Sequence, residues 1–509
     1  MIQRIGRAWL TLGSGVSFKT DSISELHVSN TIWRLLVALP YSLTILLGQR
    51  RKAQQQGTGS AKSTGSTWNS GDGEEAGERS NDGENRNMVI CHRPRTPLDQ
   101  SISREIDGIE AYIPSLKDRE RRRMFQYSCE ILCQIYPTGV PSTEPMLRSV
   151  YRAVLEDEIL VYSLTWSFAL QKWEITKDPG DEKFMLAGQS KTAQLIRAGL
   201  EKPTRTDSLL YAIMCISTAE NEWLATATPE DLRRGSFGPP IPALSLEAPG
   251  RVYWRDSYFN VFINLFNARG GLSTVSSTGM AEQFRMSDLL NASLKLKKPF
   301  LPPFEPLSTF TGIKTSSVKQ NISKDDYVGI GSSLQQGIQD LRLICQLIEE
   351  AMNSEPNRRN LIILRNSIQH RLLSVPVGRS DICRLACLIF SYAIVFPLPD
   401  TRPFHRCREA LAKCMQDKGE CDKYSKKLVL WAALLGAIAS ADTEHEKVFL
   451  TKIITLGREL SVHSWASIEE IVRKFVWLDQ TCKSGGQVAW TRANLDGLFG
   501  LDRACGSWV

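Results

Sequence analysis

Twelve cysteines and six histidines are the residues of this 509-residue chain best suited to metal binding or nucleophilic chemistry. A structural zinc site draws on close Cys pairs, about two to four residues apart, joined to a second such pair. The sequence holds no Cys-x2-Cys anywhere. Cys129/Cys133 and Cys383/Cys387 are spaced by four, and Cys407, Cys414 and Cys421 by seven. Both four-residue pairs fall inside apolar helical stripes, where Cys behaves as a small hydrophobe. Core packing is the reading, with metal binding as its alternative. So few cysteines in so long a chain make no disulfide scaffold, and free thiols in a reducing compartment are expected. His27, His92, His370, His405, His445 and His463 form no HExxH pair and follow no GxSxG elbow. They read as surface and capping residues. Gly57–Thr64 has the outline of a phosphate loop, yet Ala61 stands where a glycine must precede Lys62, and no strand leads into it. Gly329-Ile330-Gly331 is a glycine pair without a βαβ context. No catalytic residue, metal ligand or cofactor is assigned.

The elements around these residues are helical. At 118–136, Met124, Tyr127, Ile131 and Ile135 form one row and Phe125, Cys129, Leu132 and Tyr136 the next, until Pro137 stops the helix. Leu209–Ile216 is apolar all round, with Asp207 as the expected N-cap. Phe259, Phe262 and Phe266 share a face that ends at Gly270-Gly271, a C-cap signal. Between Leu334 and Met352 the apolar positions Leu334, Ile338, Leu341, Cys345, Ile348 and Met352 follow heptad spacing, so the stripe suits either the protein's own core or a homodimer seam. Leu343, Ile344 and Leu347 widen the stripe beyond a strict seam and favour the core. Further helices are expected at 360–373, 381–396, 427–441, 444–460 and 467–479, the last two opened by capping boxes Thr443/Glu446 and Ser467/Glu470. Strand pairs with tight turns are nearly absent. The fold class is therefore all-α, a single large multi-helix domain preceded by a disordered N-terminal segment.

That N-terminal segment differs from the rest. Five of the seven net positive charges fall within residues 1–53, so the remainder is nearly neutral and has no strong electrostatic footprint for nucleic acid. Met1–Thr20 has basic residues and no acid, as a mitochondrial presequence does. Leu35–Leu47 is apolar but shorter than the ~20 residues that span a bilayer, and Pro40 interrupts it. A membrane partner is thus not expected, although 32–48 remains the one candidate for membrane association. Residues 49–105 are polar low-complexity chain and read as a disordered linker. The organisation is an atypical segment at 1–48, a linker at 49–105, a helical domain at 109–490 and a tail at 491–509.

Within the helical region an ordered set of motifs resembles the fungal-specific transcription factor regulatory domain. The helix beginning Glu120-Arg-Arg-Arg-Met-Phe-Gln-Tyr and ending Ile135-Tyr136-Pro137 is similar to the family's opening helix. Phe184–Leu200 and Asp207–Glu220 resemble its next helix pair. Arg269-Gly270-Gly271-Leu272 is similar to an Arg-Gly-Gly-Leu helix end, with Phe284–Asp288 following. Trp431 and Gly436 fit a Trp-Ala-x-x-x-Gly helix, and Lys474–Asp479, with Phe475, Trp477 and Asp479, resembles the closing signature. The match runs in order over about 115–490. These positions read as structural: glycines at a turn, tryptophans in a core, Asp479 capping or pairing nearby.

The resemblance implies a nuclear transcription regulator. Its helical domain would receive signals and contact partners, namely other transcription regulators or coactivators. In this family a six-cysteine zinc cluster reads DNA. Before Cys129 there is only Cys91, so DNA is expected to be reached only indirectly or through a missing N-terminal module, either lost or encoded upstream. The alternative is a helical interaction protein without transcriptional function, held at a membrane through 32–48.

Overall fold

Residues 158–176 carry apolar side chains on every face, and the chain folds around them. The computed structural model describes residues 119, 153–154, 157–202, 206–276, 278–303, 324–351, 358–376 and 382–505, all within a compact unit spanning Ile113–Val509. The expectations for 1–48, the 49–105 linker and the stripe residues at 118–136 lie outside the described residues.

Helix α1 (Glu158–Thr176) is capped by Asp157, whose carboxylate accepts from the Ile159 amide at 3.1 Å. It is buried along nearly its whole length and packs against α2 (Pro179–Leu200) and α3 (Asp207–Ile216). The cap of α3 is Thr206, whose hydroxyl accepts from the Leu209 amide at 3.1 Å. Asp207, expected as the cap, is the first helical residue instead, which frees its carboxylate for a longer-range contact.

A two-stranded antiparallel ribbon joins β1 (Thr218–Glu220) to β2 (Val252–Trp254), with Thr218 opposite Trp254. The sequence pattern misses it because the strands are three residues each and their connection, which begins with the short α4 (Glu222–Thr226), is no tight turn. Helix α5 (Asp256–Ala268) follows and buries Phe259, Phe262 and Phe266. Phe262 and Phe266 meet Phe284 of α6 (Thr278–Lys295), Phe259 packs on Phe262, and Tyr211 of α3 joins at Phe284.

The heptad stripe lies in α7 (Ser332–Ala351). Leu334, Ile338, Leu341, Cys345 and Ile348 are all buried, chiefly against α8 (Arg358–Ser374), and Arg371 of α8 pairs with Asp340 at 2.8 Å. The stripe is thus spent inside the chain; Met352 lies outside the described residues. Helix α9 (Ile382–Phe390) continues into a π-helical turn at Ser391–Val395. Then come α10 (Arg402–Gln416), the one-turn α11 (Lys418–Cys421) and α12 (Lys426–Ala439). Every residue of α12 from Leu428 on is buried. It is the axis of this half, surrounded by α9, α10, α13 (Glu446–Glu459), α14 (Trp465–Val472) and α15 (Asp479–Cys505).

Three expected boundaries move. Ser464, not Ser467, caps α14, its hydroxyl accepting from the Ser467 amide at 3.2 Å. Glu446 does reach back over the start of α13, but to the Asp442 amide at 3.0 Å rather than to Thr443, whose hydroxyl instead donates to the Ser440 carbonyl. The helix expected over 467–479 ends at Val472. Phe475, Val476, Trp477 and Leu478 are consecutive and all buried. The helix gives way to a turn in which the Phe475 amide donates to the Val472 carbonyl, and these four residues fill the core from irregular backbone. The two halves are tied by the connection after α4: Ser236 N–H donates to the Ile438 carbonyl and Gly238 N–H to the Thr481 carbonyl, each at 2.8 Å.

Candidate regulatory core and interior cavity

The Arg-Gly-Gly turn is a clasp. At the end of α5, Gly270 takes φ 108° and Gly271 φ 73°, backbone that a side chain would strain. The turn lets Arg269 fold back. Its guanidinium donates to the Thr274 carbonyl at 2.8 Å and pairs with the Asp207 carboxylate at the start of α3. The other oxygen of Asp207 accepts from the Ser276 amide and hydroxyl at 2.8 and 2.7 Å. An acid in the first turn of α3 also sits favourably at the positive end of that helix. One carboxylate thus holds α3, the end of α5 and the approach to α6.

The second cluster centres on Trp431. It is fully buried, stacks on Phe475 at 5.5 Å between ring centroids, and donates its indole N–H to the Val476 carbonyl at 2.8 Å. That bond satisfies a carbonyl outside any helix, within the buried run 475–478 between α14 and α15. One turn further along α12, Gly436 faces the Phe449 ring of α13 so closely that a Cβ would collide with it. Trp477 packs on Trp465 at 6.3 Å. Asp479 opens α15 and pairs with Arg473, which also bonds Glu469 at 2.7 Å. The candidate residues therefore fall into two places: Arg269, Gly270 and Gly271 in the clasp, and Trp431, Gly436, Phe475, Trp477 and Asp479 in the C-terminal core.

A third arrangement fastens the stretch after α6. Leu301 N–H donates to the Asp288 carboxylate at 2.7 Å, and the Leu301 carbonyl lies 2.9 Å from Nε2 of His370. Burial pushes the Asp288 carboxyl up to about 6, against the opposing pull of the Leu301 and Phe300 amides. Burial lowers His370, so the neutral imidazole is favoured there.

Between α1, α3, the ribbon and α6 lies a cavity of about 40 Å³. Gln171 comes from α1, Trp254 from the end of β2 and Gln283 from α6. All three are more than nine-tenths buried. Gln171 Oε1, Trp254 Nε1 and Gln283 Nε2 have no hydrogen-bond partner among the described residues. Among the described residues the wall carries no Asp, Glu, Lys, Arg or His. Cys215 also faces it, its thiol bonded to Tyr211 and Ser167 and pushed up to about 12 by burial.

Cys345, Cys383, Cys387, Cys407, Cys414, Cys421 and Cys482 are also buried free thiols; burial raises Cys407 and Cys482 to about 12 and Cys345 well above its ordinary value. Cys129 and Cys133 lie outside the described residues, as do His27, His92 and Gly57–Thr64. Among the described residues no group of His, Cys, Asp or Glu is placed to hold a metal ion, and no helix is long and apolar enough to cross a membrane.

Residues 254–496 match the family model of the fungal specific transcription factor domain. No curated protein and no solved structure matches it. The match opens at Trp254, in the middle of the clasp and cavity region. Asp207, Gln171 and β1 precede it, yet they pack directly on residues inside it.

The sequence reading singled out Arg269 without its partner Asp207, and it passed over Gln171 and Gln283. No local signal marked the two glutamines, since Gln171 is followed by Lys172 and Gln283 sits between Glu282 and Phe284-Arg285. The Asp288–Leu301–His370 fastening had none either, since it depends on how the chain turns after α6.

Proposed function

We propose that the chain is a transcriptional regulator acting through a helical regulatory domain at 109–490, in the nucleus. It would receive signals and contact other transcription regulators or coactivators, and reach DNA through such partners rather than through a module within these 509 residues. The observation that supports this reading is the match of 254–496 to the fungal specific transcription factor domain, which is not an enzyme family. The near-neutral charge after residue 53 supports weak, salt-sensitive DNA contact only. The signature residues fit the same view. They sit in a clasp and a core, so they build the body whose surface would make the contacts.

Rapid depletion of the chain in its own cells tests the proposal. A defined gene set should change in transcript level before growth does. Unchanged transcripts would contradict it, and a nanomolar, sequence-selective complex of the purified chain with DNA at physiological salt would contradict the partner-mediated part.

A further inference from the structure

The chain between α4 and β2 is a strap laid over the ends of two helices, and it carries Arg233-Arg234-Gly235-Ser236-Phe237. In the whole sequence this is the one Arg-Arg pair with a serine or threonine two residues beyond it. Two guanidiniums just ahead of a hydroxyl suit an enzyme whose carboxylates hold them while a catalytic carboxylate takes the hydroxyl proton. The apolar Phe237 on the other side offers that enzyme a further anchor. We propose that Ser236 is a phosphorylation site for an arginine-reading serine/threonine kinase, and that its phosphate holds the strap at 231–238 off the end of α12 and the start of α15.

The docked strap shows what the phosphate would undo. Ser236 donates both its amide, at 2.8 Å, and its hydroxyl, at 3.3 Å, to the Ile438 carbonyl in the last turn of α12. The hydroxyl also lies against Gly485 of α15, so near that a Cβ there would come within 2.7 Å of it. Gly235 turns at φ 64° to bring the chain in over the same carbonyl. A phosphate ester at Oγ has no proton to donate to Ile438. It carries about −1.5 to −2 charges and would face the negative end of a helix. Asp442, just past that end, adds another negative charge. Docking and phosphorylation therefore exclude each other. The same contacts set when the site can be read. Residues 228–233 are exposed, and Arg233 reaches Asp442 only at 3.7 Å. Arg234 is committed to the Leu398 carbonyl, and Ser236 is half-buried. A kinase thus reads the pair and the serine once the strap lifts, a local opening of irregular chain that leaves the helices in place. The transfer breaks the bond from the γ-phosphorus of ATP to its bridging oxygen and forms the bond from that phosphorus to Ser236 Oγ. The hydroxyl proton passes to the kinase, and ADP leaves. Any effect on transcription rests on the function proposed above; the modification does not.

The test incubates the folded full chain with ATP and the catalytic subunit of cyclic-AMP-dependent protein kinase, which reads paired arginines. Mass spectrometry should place a phosphate on Ser236, and Ser236→Ala should remove it. Arg233→Ala, a change at an exposed side chain, should lower kcat/KM for the transfer about tenfold or more, as the loss of one charge-assisted contact does. Hydrogen exchange then reads the strap. After phosphorylation the Ser236 and Gly238 amides should exchange about tenfold faster or more, while the amides of α1 keep their protection. No phosphate at Ser236, or an undiminished rate with Arg233→Ala, would overturn the proposal. So would unchanged exchange at Ser236 and Gly238. Exchange raised equally in α1 would mean loss of the fold rather than release of the strap, and would overturn it too. Phosphopeptide mapping of the chain recovered from its own cells, with phosphatases blocked, should find the same phosphate. Its absence there, with labelling by the purified kinase alone, would mark that labelling as adventitious and sink the proposal. None of these readings uses transcript levels, so the regulatory reading and this one stand or fall separately.

Discussion

At the scale of single residues, two of the signature positions make sharp predictions. Gly436 is where α12 and α13 come closest, and the Phe449 ring occupies the space of a side chain. Gly436→Ala should destabilise the chain by about 1–3 kcal/mol, the usual cost of overpacking a core. Adding Phe449→Leu should recover part of that loss, because the two changes share one space and are not additive. Strictly additive losses in a denaturant series would contradict the close contact. Asp288 predicts a pH dependence. Its folded carboxyl is raised to about 6 from an ordinary 3.8. The folded state then binds the proton more tightly, so the stability this group contributes is full below about pH 4 and is lost as pH rises through 6. Asp288→Asn removes that loss while its amide oxygen still accepts from Leu301. The Tm of the variant minus that of the wild type should therefore grow from pH 4 to pH 7, by an amount equivalent to about 1–3 kcal/mol. A flat or falling difference would show that Asp288 is not held in a buried, desolvated place. Gly270 and Gly271 could be picked from the sequence because a glycine pair closing an apolar helix face marks its end, whereas Arg269 and Trp431 stood out only through the family resemblance. Asp207 could not be paired with Arg269 from the sequence, because the contact exists only once α3 and α5 lie side by side.

At the scale of elements, periodicity is a strong guide to where helices lie and a weak one to where they stop. The stripe of α7 shows this well. Its spacing suits a seam or a core, and the widening by Leu343, Ile344 and Leu347 tips the choice that α8 then settles. Leu341 is fully buried, so Leu341→Asp should abolish the cooperative unfolding transition by placing an unpaired charge in the interior. A folded, monomeric Leu341→Asp protein from a dimeric parent would show instead that the stripe is a seam. The end of α14 was not legible. Phe475 to Leu478 read as more helix, and the apolar run could not show the break, since α12 buries an equally apolar run in helical geometry; the bond from Trp431 to the Val476 carbonyl exists only in the folded chain. The ribbon was missed for a related reason: three-residue strands carry too short a pattern to stand out.

At the scale of the whole molecule, the helical body does not begin where the family match begins. Helices α1 to α3 precede residue 254, yet they cover the Phe262–Phe266–Phe284 cluster through Tyr211 and hold the Arg269 clasp through Asp207. A protein of residues 254–496 alone should therefore lack a cooperative melt in circular dichroism, whereas the full chain should show one; a cooperative melt of the short piece at the same temperature would make α1 to α3 dispensable. The all-α class was plain from the helical stripes, while the joining of the halves through Ser236 and Gly238 was not, because those bonds are made by backbone and leave no mark on side-chain pattern. The central claim is that this body acts on transcription. The most direct measurement fuses residues 109–490 to an unrelated sequence-specific DNA-binding domain and reads a reporter carrying that domain's site. The account predicts a change in reporter output of several-fold, dependent on the site and lost when Leu341→Asp unfolds the body. Reporter output equal to that of the DNA-binding domain alone, from a fusion shown to be folded and bound, would contradict it.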